Sequence, residues 1–238
     1  VRFPRCDTCF ERHRGYDDSL DPLFGRAGMP KSQRRVVVPL SPSNEIELAS
    51  THVAASELLR EVKIRARIRL NDLSNQVPDA IFYARWISRK RRWALPASWK
   101  LAQALNIVST ELGFQDWEHL RRVLEGRAQP SDDLGGLWYD LRCQFLLNSW
   151  FATYADARSF CRQGGERFLF PFAKQIVVGD ANFVRMLGMD PASPLWKETG
   201  NDLFASYGTP AWRSLCSARL AATRGRLPIG RTPTARNL

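Results

Sequence analysis

Three histidines and six lysines are all that the 238 residues contain. With so few imidazoles there is little material for a multi-histidine metal centre or for a base set beside a nucleophile. No stretch approaches the roughly 20 consecutive apolar residues that a membrane span needs, and the N-terminal segment lacks the apolar core of a secretory signal. No membrane association is therefore expected, and the expected location is cytoplasmic. A glycine-rich phosphate loop followed by lysine, a Gly-x-Ser-x-Gly elbow, a dinucleotide fingerprint and internal repeats are all missing. The five cysteines (Cys6, Cys9, Cys143, Cys161, Cys216) are odd in number and widely scattered. That fits a reducing cytosol better than a disulfide framework.

What the chain does have is positive charge and aromatic bulk. Its net charge is +11, and 29 of its 35 basic residues are arginine. Such a balance suits an acidic partner, whether nucleic acid, an anionic membrane surface or an acidic protein. Arginine richness from a GC-rich genome is the competing explanation. Eight tryptophans and thirteen phenylalanines are ample for a hydrophobic core.

The first residues stand apart. The chain begins with Val1 and its first methionine is Met29, which precedes a plausible native beginning. Residues 1–28 hold five basic and five acidic residues without helical or strand periodicity. Residues 1–44 are accordingly expected to be a disordered or mis-assigned extension. Within them, "CDTCFERH" brings Cys6, Cys9 and His13 close together. That is half a zinc site, and His52 and His119 lie far along the chain, so neither metal nor cofactor is expected.

The stretch "VKIRARIRL" (62–70) alternates apolar and basic residues. A strand would align Val62, Ile64, Ala66, Ile68 and Leu70. A helix would align Leu59, Val62, Ala66, Leu70, Leu73 and Val77, a series that runs twice as far with no turn signal at its edges. The helix is preferred, and it turns the basic residues into a girdle around a buried apolar stripe. After Pro78, Asp79 is placed to cap a helix with Ile81, Phe82, Trp86 and Ile87 inward. "RKRR" (89–92) ends it between Trp86 and Trp93, where cations also suit the negative end of the helix dipole.

Next, Ser98 is placed to cap a helix burying Leu101, Leu105, Val108 and Leu112, with Gly113 as its left-handed stop. Asp116 caps a second helix presenting Trp117, Leu120, Val123 and Leu124, closed by Gly126. Residues 127–136 read as a linker. "FLLNSWFATYADARSFCRQGG" reads as an aromatic helix stopped at Gly164-Gly165, and "RFLFPF" and "KQIVV" as a hairpin. Asp180 heads one more helix, and "DPASPLWKETGNDLF" gives a turn and another. The tail from Arg219 carries five arginines and no acid, and is expected to be disordered.

The segment "LAQALNIVSTELGFQDWEHLRRVLEG" resembles the helical Leu-Gly-Phe-x-x-Trp segment of glyoxalase-related accessory domains and of several uncharacterised bacterial proteins. "LLNSWFATYADA", "FLFPFAKQIVV" and "FVRMLGMDPASPLW" look like parts of the same uncharacterised bacterial family, and together the similar pieces cover about half the chain. The resemblance implies no established reaction. Glyoxalase activity itself is not carried over, because it needs His and Glu metal ligands and no such motif surrounds His52 or His119.

His119 lies between Trp117 and Leu120, three residues from both Asp116 and Arg122, and reads as an ion-pairing surface or edge histidine. Cys143 and Cys161 read as buried small hydrophobes. The positive signal is elsewhere: from residue 60 to residue 100 there are eleven basic residues against three acids. Trp86, Trp93 and Trp99 are within reach of the basic run, to stack on bases or to join the core; Trp99, which follows the expected cap, is assigned to the core and Trp93 is left open.

The fold expected is mainly α, with a bundle-like helical basic domain over residues 45–127 and a smaller α+β, aromatic-rich domain over 137–218. The tail over 219–238 follows. The function expected is a non-enzymatic nucleic-acid-binding protein. It would contact phosphates through Arg65, Arg67, Arg69, Arg89, Lys90, Arg91 and Arg92, with Trp93 beside them. A protein–protein adaptor is the alternative, marked by an exposed apolar patch around Trp150, Phe151 and Phe172. An enzyme would need a cleft with converging carboxylates or a perturbed His119.

Overall fold

Leu58, Leu59, Val62, Ala66 and Leu73 are all buried, at the three- and four-residue steps of a helix, whereas Ile64 and Ile68 are exposed. The alternating stretch is thus helical, within α1 (Pro42–Ser74). The computed structural model describes residues 42–129 and 131–224, with side chains from residue 55 onward. Among these are eight α-helices and one three-stranded antiparallel sheet. The Cys6-Cys9-His13 trio and the extension up to residue 41 lie outside the described residues. The helix begins at Pro42, inside the 1–44 segment expected to be disordered.

α2 (Pro78–Arg91) starts with proline at its first position, where the missing N–H costs nothing. Val77, not Asp79, is its N-cap, and Asp79 sits instead in the first turn, favourable to the dipole. The inward face agrees with expectation at Ile81 and Ile87 and differs at Phe82 and Trp86. α2 buries Ala80, Ala84, Ile87 and Ser88, and leaves Phe82 and Trp86 50% and 41% exposed. Small residues four apart let the helix lie close against Leu73 of α1 and Ile107 of α3, and the bulky rings are turned outward. Arg92 ends the helix in the left-handed conformation.

α3 (Leu101–Glu111) is capped from Lys100, whose N–H donates to the Gln103 side chain, rather than from Ser98. Leu101 faces solvent, while Ala104, Ile107 and Val108 are buried. Gly113 then turns the chain at φ +90°, with the backbone of Gly136 so close that a Cβ would meet it at 2.7 Å. Only glycine fits there. Phe114 is buried after it, and Asp116 caps α4 (Trp117–Leu124) by accepting from the His119 N–H. The Leu-Gly-Phe-x-x-Trp segment is therefore a tight corner between two helices.

The loop after α4 is anchored rather than free, since Ala128, Leu134, Leu137 and Trp138 are buried. The stretch expected as one aromatic helix (145–165) is helical only in its second half. A 3-10 helix (Leu141–Phe145) leads into β1 (Ser149–Phe151), and α5 (Tyr154–Arg162) follows. Asn148 makes the break by donating to the carbonyls of Cys143 and Leu146, which a continuing helix would have used itself. β2 (Phe168–Phe172) and β3 (Gln175–Gly179) form the expected hairpin, and β3 lies in the middle of the order β1-β3-β2. Pro171 is tolerated because β2 is an outer strand of this sheet. α6 (Ala181–Met186), capped by Asp180, and α7 (Pro194–Glu198) come next.

α8 (Pro210–Ala222) closes the described chain and corrects the reading of the tail. Arg219 is a buried helical residue, donating to the carbonyls of Leu137 and Leu187, and of the expected tail residues 225–238 lie outside the described set. One hydrophobic core takes Leu58 and Val62 from α1, Val108 from α3, Leu120 from α4, Phe168 and Phe170 from β2, and Trp212 from α8. Residues on both sides of the 127–136 stretch thus share the same core. Among the described residues no helix is long and apolar enough to cross a membrane.

Candidate nucleic-acid interface

Along α1 the basic residues divide by direction. Arg65 and Arg69 point toward neighbouring helices, and Arg60, Lys63 and Arg67 face outward. Arg65 pairs with Glu61 at 2.9 Å, donates to the Thr223 hydroxyl and reaches the Leu220 carbonyl. It thereby closes the C-terminus of α8, where the negative end of the helix dipole welcomes a cation. Glu61 takes Arg224 as a second partner at 2.7 Å. The Arg224 hydrogen bond and the Arg65 pair hold its carboxyl below the usual range despite burial.

Arg69 forms a pair with Glu111 at 2.8 Å, in which both side chains are largely withdrawn from water. Burial pushes the Glu111 carboxyl up to about 7, and Arg69 offsets only part of that. Tyr83 of α2 lies near the same pair, and burial together with the Glu111 charge raises its phenol. Arg91 donates to the Phe114 carbonyl at 2.8 Å, tying the end of α2 to the corner after α3. Trp93 is half-buried against Leu73, Ala80 and Ile107. Four of the eight site residues expected from sequence are thus engaged inside the fold.

The other four are outward. Arg67, Arg89, Lys90 and Arg92 are exposed, together with Arg60, Lys63 and Arg85, which fall in the basic run but were not singled out. None of these seven has an ion-pair partner among the described residues, in contrast to Arg65 and Arg69. Lys63 lies over the Trp117 ring at 6.0 Å, and Lys90 over Trp86 at 5.1 Å. Past its first turn, α2 exposes Phe82, Arg85, Trp86, Arg89 and Lys90, whose spacing marks one helical face. The signal that finds Arg60 and Arg85 is their place on the faces opposite the buried stripes.

The enzymatic alternative meets a different geometry. His119 is buried, not at the surface or edge. Its Nδ1 accepts from the Gln115 N–H at 3.1 Å, and its Nε2 donates to the Asp133 carbonyl at 2.6 Å. Both ring nitrogens are used to fix the corner. Cys143 and Cys216 are buried, Cys161 half-buried, and burial raises all three thiols. Asp202 is buried but saturated, accepting from Tyr154, Arg158 and the N–H groups of Phe204 and Ala205. Among the described residues no group of three or more His, Cys, Asp or Glu is placed to hold a metal ion.

Around the sheet, Trp150 is 41% exposed, while Phe151 and Phe172 are half-buried. Trp150 packs on Tyr139 and edge-on to Phe172. Leu141, Phe145 and Leu147, just before β1, are exposed as well, Leu147 almost fully. Comparison with protein-family models, with curated proteins and with solved structures finds no match.

Proposed function

We propose that this protein binds nucleic acid, non-enzymatically, through phosphate contacts from the outward faces of α1 and α2. The observation carrying the reading is the set of seven exposed cations on these two helices without ion-pair partners among the described residues. A surface cation usually finds a carboxylate nearby or lies among mixed charges. Of the exposed acids with described side chains on these helices, Glu57 lies near the middle of α1, a turn before Arg60 and well short of Arg67, and Asp79 lies in the first turn of α2, well short of Arg89 and Arg92. Unpaired arginine and lysine at this density neutralise phosphates and release counterions, which gives affinity with little dependence on base sequence. A cytoplasmic location accompanies this reading.

The test is fluorescence anisotropy with a labelled 20-nucleotide strand and a 20-base-pair duplex across a salt series. Arg67→Glu, Arg89→Glu and Arg92→Glu together are expected to weaken binding more than tenfold and to flatten the salt dependence. For duplex DNA each lost phosphate contact removes about 0.9 from the logarithmic slope. Absence of binding by the wild type at low salt overturns the reading.

Docking of a protein partner is the second reading, and the exposed Leu141, Phe145, Leu147 and Trp150 favour it. It predicts that Phe145→Asp with Leu147→Asp abolishes capture of a partner without affecting nucleic-acid binding.

A further inference from the structure

We infer that the α2 face is a stacking platform, so that the nucleic acid it takes is single-stranded. This rests on the phosphate-binding reading above and adds to it the class of ligand. α2 inverts the ordinary arrangement of a surface helix. Its buried side is Ala80, Ala84 and Ser88 around Ile87, while Phe82 and Trp86 are left half in water. Exposed apolar area on two rings is unfavourable in the free protein, and the core beneath is closed without them. Local choices that contradict the fold mark positions held for function.

The exposed face reads Phe82, Arg85, Trp86, Arg89, Lys90, a ring followed by a cation, twice over. Phe82 and Trp86, four residues apart, are separated by about 6 Å along the helix axis. That is close to twice the roughly 3.4 Å rise per nucleotide of stacked DNA. Tyr83 stacks on Trp86 with centroids 5.6 Å apart at 24°, which steadies the indole ring. Lys90 is the other group over that ring. A lysine side chain is long and its ammonium readily changes partner. An incoming base therefore replaces it on the indole, and the ammonium moves to the adjoining phosphate.

A duplex hides the faces of its bases in its own stack, whereas a single strand offers them freely. Base–aromatic stacking is indifferent to base identity, because every base has a π-face. The platform therefore selects strandedness rather than sequence. Arg85, Arg89 and Arg92 supply the electrostatic attraction alongside.

The experiment uses the full chain, with labelled 20-nucleotide oligothymidylate, 20-nucleotide oligouridylate and a 20-base-pair duplex at matched salt. Both single strands are expected to bind at least tenfold tighter than the duplex. Phe82→Ala with Trp86→Ala should remove that preference, losing roughly tenfold or more on the strands and leaving duplex affinity and the salt slope unchanged. Trp86→Phe, which keeps a ring, should restore part of the loss. An unchanged melting temperature for the ring variants separates lost stacking from lost folding. Equal wild-type affinity for strand and duplex overturns the platform and leaves the phosphate reading standing. No binding of any probe overturns both.

Discussion

Replacing Arg65 with alanine would take one donor from the Leu220 carbonyl, which keeps the Thr223 hydroxyl and N–H, would leave the Thr223 hydroxyl without its donor, and would leave Glu61 with one partner instead of two. Hydrogen bonds to a charged group are worth about 1.5–3 kcal/mol each, and the loss falls mainly on the Thr223 hydroxyl and Glu61. Arg65→Ala is therefore expected to cost about 2–3 kcal/mol in urea unfolding. Arg67, two residues on and exposed, should change stability by less than about 0.5 kcal/mol when replaced by alanine. Its effect should be on binding alone. Gly113 supplies a second residue-level test. Its φ of +90° and a prospective Cβ 2.7 Å from the Gly136 backbone combine strain with a clash that no flexible side chain can relieve. Gly113→Ala should lose more than about 2 kcal/mol in the same unfolding measurement. A loss below about 0.5 kcal/mol would mean that the corner can rearrange.

Where α1, α2 and α3 meet, Glu111 lies in the low-dielectric space between helices, paired with Arg69 and near Tyr83. Its carboxyl titrates at about 7 in the folded chain, against an unperturbed value of 4.5. Between those values the folded chain holds a proton that the unfolded chain releases. Stability contributed by the protonated acid is complete below about 4.5 and is lost as pH rises through about 7. Wild-type protein should lose stability across that window, by at most about 1.4 kcal/mol per pH unit from this group. Glu111→Gln should flatten the slope, and an equal slope in both proteins would acquit Glu111. The same junction shows what was legible in the sequence. The periodicity of α1, the Gly113 stop, the Asp116 and Asp180 caps and the β2–β3 hairpin rest on local chemistry, and all appear in the fold. The inward face of α2 was legible at Ile81 and Ile87 but not at Phe82 and Trp86. Hydrophobicity places Phe82 and Trp86 inside, but the face packed with Leu73 and Ile107 is taken by Ala80, Ala84, Ile87 and Ser88. Composition located the basic region. It could not separate Arg67, Arg89, Lys90 and Arg92 from Arg65, Arg69 and Arg91, because their acceptors lie on α3, on α8 and at the corner after α3.

At the scale of the molecule, the basic helices are held in place from the far end of the chain. The core that buries Leu58, Val62 and Ala66 also contains Phe168, Phe170, Trp196, Trp212 and Leu220, and Arg65 is bonded to the last turn of α8. Without the segment beyond residue 128, α1 would expose that stripe to water, together with parts of α3 and α4. Each buried Leu or Val so exposed loses about 1.5–3 kcal/mol, enough for a few of them to exhaust the stability of a small domain. A fragment comprising residues 42–127 is therefore expected not to fold alone. In the intact chain, helix loss by far-UV circular dichroism should coincide with exposure of Trp138, Trp196 and Trp212, which fluorescence follows. These tryptophans lie in the core shared by both segments, so the two signals report one cooperative event. Separate midpoints, or a fragment 42–127 that melts cooperatively, would show two independently folding parts. In that case the basic helices could act as a nucleic-acid module by themselves. Coincident midpoints mean that any partner bound to the α1–α2 surface stabilises the sheet and α8 as well, because only the whole unit presents that surface.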